Sequence, residues 1–288
     1  MKHLHFGALA AGLLILALAS AGLARADDSP AAIQKILQER IDIGKKATGV
    51  VVGMVDAKGP RVTSYGAVAA GGAPVDGDTV FEIGSVSKTF TATLLADMVQ
   101  RGEVALDDPI SKYLPASVKT PKRDGKEITL LDLATQTSGL PRMPSNFAPK
   151  DKQNPYADYT AEQMYAFLSS FELTRDIGSK YEYSNLGVGL LGHILALRAG
   201  TDYATLVQQR ITGPLGMAST AIVLTPAMQT RLAAGHNRTL ARVPGWDMNV
   251  LAGAGAIRST VNDMLKYAAA NLGLPPAGAK ADAKLSAA

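Results

Sequence analysis

The order of the apolar segments is the tightest constraint on this chain: two strand-like runs come early, and nearly everything after them is helical. Residues 49–55 form a valine-rich run and residues 61–68 a second strand candidate. Ala57-Lys58-Gly59-Pro60 between them reads as a hairpin turn. Two strands with one apolar face cannot stand alone and must be covered. Cover is available from segments of helical period at 31–42, 85–101, 129–135, 161–171, 185–199, 203–210 and 260–272. The expected class is α/β (α+β), an antiparallel sheet flanked by helices with a helical subdomain over about 85–220. Such a fold calls for further strands to close its sheet, and none is legible after Leu272. The Ala- and Lys-rich tail at 277–288 reads as the start of a helix. The expectation is a chain incomplete at its C-terminus, with the last sheet strands missing.

Residues 6–23 are almost wholly apolar, follow Lys2, and end in Ala24-Arg25-Ala26, the small-x-small pattern of a leader cleavage site. Residues 1–26 are expected to be a signal peptide and 27–288 one catalytic domain, secreted and periplasmic. The run is also just long enough for an anchor, but its small terminal residues favour cleavage, so no stable membrane anchor is expected. Cleavage removes Lys2 and Arg25, lowering the formal net charge from +4 to +2. With no basic run longer than Lys45-Lys46, that charge is too mild for a nucleic-acid binder, and no nucleic-acid partner is expected. There is no cysteine, which removes disulfides and thiolate chemistry together. Only His193 and His236 remain after cleavage, too few for a three-histidine metal centre. His193 sits inside an apolar run and reads as a core residue rather than a base.

One stretch could carry chemistry by itself. In Phe81-Glu82-Ile83-Gly84-Ser85-Val86-Ser87-Lys88-Thr89-Phe90 a short strand runs into Gly84 and a helix is expected from about Ser85. Ser85 and Lys88 are three residues apart and share a helix face. A serine hydroxyl needs a neighbour to take its proton, and a lysine can do so only when burial and the helix dipole depress its pKa. The local pattern leaves two readings open: a nucleophile with its base, or an N-cap with a solvated first-turn lysine. Ser87 has no lysine three residues on and is the weaker candidate.

A second cluster, Tyr181-Glu182-Tyr183-Ser184-Asn185, precedes the 185–199 helix. In an extended segment Tyr183 and Asn185 project to the same side. A phenol beside an ammonium can relay a proton, and an amide can orient a carbonyl. Read alone, the cluster is equally a capped helix entry with aromatic packing. Asp107 and Asp108 are expected to cap the turn entering Pro109, and Trp246 either shapes a pocket rim or packs.

Together the two motifs resemble the serine β-lactamase and D-Ala-D-Ala peptidase superfamily, on its class C, penicillin-binding-protein-like branch. The resemblance continues through Arg101-Gly102-Glu103-Val104-Ala105-Leu106-Asp107-Asp108-Pro109 and Ile128-Thr129-Leu130-Leu131-Asp132-Leu133-Ala134-Thr135-Gln136-Thr137-Ser138-Gly139-Leu140-Pro141. It then takes in Pro214-Leu215-Gly216-Met217 and Gly253-Ala254-Gly255-Ala256-Ile257-Arg258-Ser259-Thr260, and so covers about 49–272. It implies an acyl-enzyme on Ser85, general-base work shared by Lys88 and Tyr183, and a substrate amide bound by Asn185. Tyr183 would also activate the deacylating water. It implies no metal or organic cofactor, a monomer, and a small-molecule substrate. The leading substrate is a β-lactam amide, with a D-Ala-D-Ala peptide or small ester as alternatives. The family's late Lys/His-Thr/Ser-Gly strand motif is absent, and Met143 falls where class C cephalosporinases carry a glutamine. A penicillin-binding receptor that acylates without turnover, or an inactive fragment, is the rival reading.

Overall fold

A computed structural model describes residues 28–274. The expected leader at 1–26 and the tail at 277–288 lie outside the described residues. Helix α1 (Pro30–Gln38), capped by Ser29 and opened by a proline, runs on into a wider turn at Glu39–Ile43. The hairpin follows as β1 (Gly49–Asp56) and β2 (Gly59–Gly66), antiparallel and in register from Gly49 opposite Gly66 to Asp56 opposite Gly59. The turn is tighter than the sequence suggests. Asp56 accepts the Lys58 N–H at 2.7 Å, so β2 starts two residues before Arg61 and places Pro60 opposite Val55.

Strand β3 (Phe81–Glu82) leads through Gly84 into α2 (Ser87–Gln100). The ladder of β4 (Lys122–Arg123) and β5 (Lys126–Glu127) precedes α3 (Leu130–Ala134), and α4 (Ala161–Ser170), α5 (Asn185–Ala199) and α6 (Tyr203–Val207) follow. Helices α3 and α4 open with capping boxes, Thr129 with Asp132 and Thr160 with Gln163, as their sequences allow. After α7 (Pro226–Gln229) come β6 (Gly235–His236), β7 (Arg242–Val243), β8 (Arg258–Ser259) and α8 (Val261–Asn271). Strand β8 returns to pair with β3, Phe81 opposite Ser259 and Glu82 opposite Arg258, which ties the segment before Ser85 to a distant part of the chain. Helix α8 packs on β1 and α1 on β2. Among the described residues no helix is long and apolar enough to cross a membrane.

Helix α5 is apolar around its whole circumference and is correspondingly buried at the centre of the helical part. Leu186, Leu190, Leu191 and Ile194 meet Phe90, Leu94 and Met98 of α2 in one core. Each fully buried side chain of this kind contributes about 1.5–3 kcal/mol relative to exposure. The Asp108 expectation is corrected: the turn at Ile110–Lys112 has no side-chain cap. Asp108 instead accepts the Ala105 N–H at 2.7 Å, the Lys112 ammonium at 2.6 Å and the Tyr113 hydroxyl. These partners hold its carboxyl down at about 2.

Candidate active site

Gly84 has φ of +50°, a left-handed conformation that a side chain would strain, and it turns the chain from β3 into α2. The first turn is narrower than expected: Gly84–Val86 is a 3₁₀ turn, and the α-helix starts at Ser87. Ser85 lies in that turn and is exposed, while Ser87 is fully buried with its Oγ accepting the Ile257 N–H at 3.1 Å. Of the two serines, only Ser85 can meet a substrate.

The sequence-derived residues converge. Lys88 Nζ is 3.2 Å from Ser85 Oγ, 2.9 Å from Asn185 Oδ1 and 2.6 Å from the Ala254 carbonyl oxygen. The Tyr183 hydroxyl is hydrogen-bonded to Ser85 Oγ at 2.7 Å. Nζ also lies 4.7 Å from the centroid of the Tyr183 ring. Burial pushes the Lys88 pKa down, opposed by Tyr183 and assisted by the Arg142 charge. Burial pushes the Tyr183 phenol up, but the bonds to Lys88 and Ser85 and the charges of Lys88 and Arg142 outweigh it, and the net direction is down. Lys88 and Tyr183 therefore titrate as a pair.

Two supports had no signal in side-chain spacing. The first is the segment Asn249–Ala254, whose Ala254 carbonyl takes the third proton of the Lys88 ammonium. It is gripped by one face of α2: Thr91 Oγ1 donates to the Gly253 carbonyl at 2.8 Å, three residues on from Lys88. The second is Gln136, a buried residue at φ +64°. Its backbone carbonyl accepts the Glu182 N–H at 2.8 Å and its side-chain oxygen accepts the Ser184 N–H at 2.7 Å, so it clamps the chain on both sides of Tyr183. Ser184 caps α5 through the Gly187 N–H and donates to the Pro141 carbonyl, which anchors the same stretch to the loop after α3.

Other candidates lie elsewhere in the fold. His193 is half-buried on α5 with Nε2 2.5 Å from the Tyr165 hydroxyl, and burial lowers its pKa, in keeping with a core residue. Thr212, in the nearest approach to a Thr-Gly motif, is buried in the wide turn after α6, and His236 is in β6 opposite Arg242. Met143 packs against the core. Trp246 is 47% exposed and packs at a tilt against Tyr156, the packing role of the two expected. Along the outer edge of β1, residues of β1, β3, β8 and the start of α8 line an open groove of about 370 Å³.

The family model described as Beta-lactamase matches residues 31–288. The D-alanyl-D-alanine-carboxypeptidase/endopeptidase AmpH of Escherichia coli (strain K12) is 34% identical over 237 residues, 80% of this chain and 58% of that protein. A β-lactamase of Pseudomonas fluorescens is 32% identical, covering 69% of this chain and 52% of that one. The crystal structure of a class C β-lactamase from Rhodobacter sphaeroides superposes with a TM-score of 0.71 at 32% identity, over 85% of this chain and 65% of that one. The chain thus spans a little over half the length of these curated relatives.

Proposed function

The chain belongs to the beta-lactamase family, and on that premise we propose that it is a serine acyl hydrolase acting on D-alanyl-D-alanine peptides through an acyl-enzyme on Ser85. The observation that carries this reading is the convergence of the Tyr183 hydroxyl and the Lys88 ammonium on an exposed Ser85 Oγ, at 2.7 Å and 3.2 Å. An ammonium has three protons, and Lys88 has three acceptors for them. With its donors engaged, Lys88 serves as the fixed positive charge and Tyr183 as the proton acceptor.

In the first step Ser85 Oγ bonds to the substrate carbonyl carbon while the serine proton passes to Tyr183 in its phenolate form, whose pKa is held down by Lys88 and Ser85. The proton then moves to the departing amine nitrogen as the carbon–nitrogen bond breaks. Water attacks the ester carbonyl next, gives its proton to Tyr183, and Ser85 leaves with that proton. Asn185, whose oxygen is held by Lys88, keeps its NH₂ group to donate to the substrate amide. The Ser85 N–H, in the first turn of the helix, is a donor for the carbonyl oxygen as it becomes an oxyanion. No metal or organic cofactor enters this scheme. The protein is proposed to be exported to the periplasm as a single domain after loss of residues 1–26.

The peptide substrate is favoured by the name of the AmpH relative and by Met143, which packs against the core at the position where a class C cephalosporinase carries a glutamine. β-Lactam hydrolysis is the second reading, favoured by the β-lactamase from Pseudomonas fluorescens, since a lactam presents its carbonyl to the same nucleophile. Parallel assays decide between them: release of D-alanine from a D-Ala-D-Ala-terminated peptide, and ring opening of a chromogenic cephalosporin, each with wild type and S85A. Ser85-dependent D-alanine release at a higher kcat/KM than cephalosporin turnover is expected. The reverse ranking would install the second reading, and label without turnover on either substrate would make the chain a penicillin-binding receptor.

A further inference from the structure

Arg142 is absent from the sequence-derived set, yet its guanidinium carbon lies 5.0 Å from the centroid of the Tyr183 ring, close to the 4.7 Å of Lys88 Nζ. Its placement is not accidental to a floppy loop. The Arg142 carbonyl accepts the Asn185 and Leu186 N–H groups at 3.0 and 3.2 Å, and the preceding Pro141 carbonyl accepts the Ser184 hydroxyl at 2.6 Å. These bonds fix the Arg142 backbone to the N-terminus of α5, so the exposed side chain starts from a set position beside Tyr183. Among the described residues no carboxylate pairs with Arg142, so its charge is left uncancelled next to the ring.

We propose that Arg142 is a positioning residue of this site: it holds the Tyr183 ring through a cation–π contact and, with Lys88, supplies the positive field in which the Tyr183 phenolate forms and accepts the serine proton. This rests on the assignment of Tyr183 as the proton acceptor made above. The groups around Tyr183 are consistent with it. From α2 comes Lys88 and from the turn before it the neutral Ser85, from the loop after α3 comes Arg142, and from the 249–254 segment comes only the neutral Ala254 carbonyl, by way of Lys88. The neighbouring carboxylate, Glu182, is engaged by Arg175 at 3.1 Å. Both cations push the phenol pKa down. A guanidinium also stacks flat on a ring in a way that an ammonium does not.

The test is the pH dependence of Ser85 acylation by a fluorescent penicillin, for wild type, R142K and R142Q. Removing a cation makes the phenolate less favourable and raises the Tyr183 pKa, so the acid limb must move to higher pH. A unit charge about 5 Å away through a water-like medium corresponds to about half a pH unit, or roughly threefold in rate along the limb. R142Q is expected to show that shift with the high-pH plateau retained, and R142K, which keeps the charge, to fall between. An unmoved acid limb in R142Q, or a uniform loss at every pH, overturns the proposal. An ultraviolet difference titration of the phenolate, referenced to Y183F, needs no turnover. It separates failure of this inference (no shift of the Tyr183 band in R142Q) from failure of the proposed reaction (a shifted band with no Ser85-dependent label in wild type).

Discussion

At the scale of the residue, the site is a balance of two opposed pKa pressures on one pair. Burial disfavours the charged form of each partner, and their mutual contact favours it, so the charge on Lys88 and the charge on Tyr183 support each other. What remains to be set is the position of the phenol, and Gln136 sets it by gripping the Glu182 and Ser184 N–H groups. A left-handed backbone at a buried glutamine is a local strain of about 1–3 kcal/mol, which the two bonds help to hold. Gln136→Ala keeps the carbonyl bond to Glu182 and loses the side-chain bond to Ser184. It is expected to lower the acylation rate about tenfold or more while leaving KM for the same substrate within about twofold, because the ring is misplaced and not removed. Single-turnover kinetics checks this. A rise in KM at unchanged rate would show that Gln136 shapes substrate binding instead.

At the scale of the element, the site is made where three segments meet: the first turns of α2, the entry to α5, and the 249–254 segment. The last two approach closely because glycines face one another, and a Cβ on Gly253 would come within 3.0 Å of Gly192 Cα and 3.1 Å of both Thr91 Oγ1 and the Val188 carbonyl. Gly253→Val is expected to cost about 1–3 kcal/mol through overpacking. It should also displace the Ala254 carbonyl from Lys88, so that acylation falls together with Tm. An unchanged Tm with full acylation would refute this account of the contact. The two helices and the hairpin were legible in the sequence because each has its own signal: the period of 85–101, the apolar run of 190–197, the valine run of 49–55. The grouping of Ser85, Lys88, Tyr183 and Asn185 was legible because their side chains are of types that suit acyl-transfer chemistry. The Ala254 carbonyl was not, since a backbone oxygen is the same at every residue, and its recruitment depends on a contact 166 residues away from Lys88. The same holds for Gln136 and Arg142, whose roles come from where a loop is fastened, and for Asp108, whose partners lie within its own turn.

At the scale of the whole molecule, a β3–β8 pairing and an α2–α5 core hold residues from 85 to 254 in one constellation, and the family match over 31–288 gives that constellation its context. The proposed export is tested on the whole chain. Expressed with its leader in a Gram-negative host, the periplasmic protein is expected to begin at Asp27 by N-terminal sequencing, and a product that retains Met1 would contradict cleavage after Ala26. The central claim, that Ser85 is the acyl acceptor, is tested most directly by intact-protein and peptide mass spectrometry after brief exposure to a penicillin at neutral pH. The account predicts one adduct per chain, mapped to the peptide holding Ser85, and no adduct on a folded S85A protein. An adduct that persists in S85A, or none on folded wild type, would contradict it.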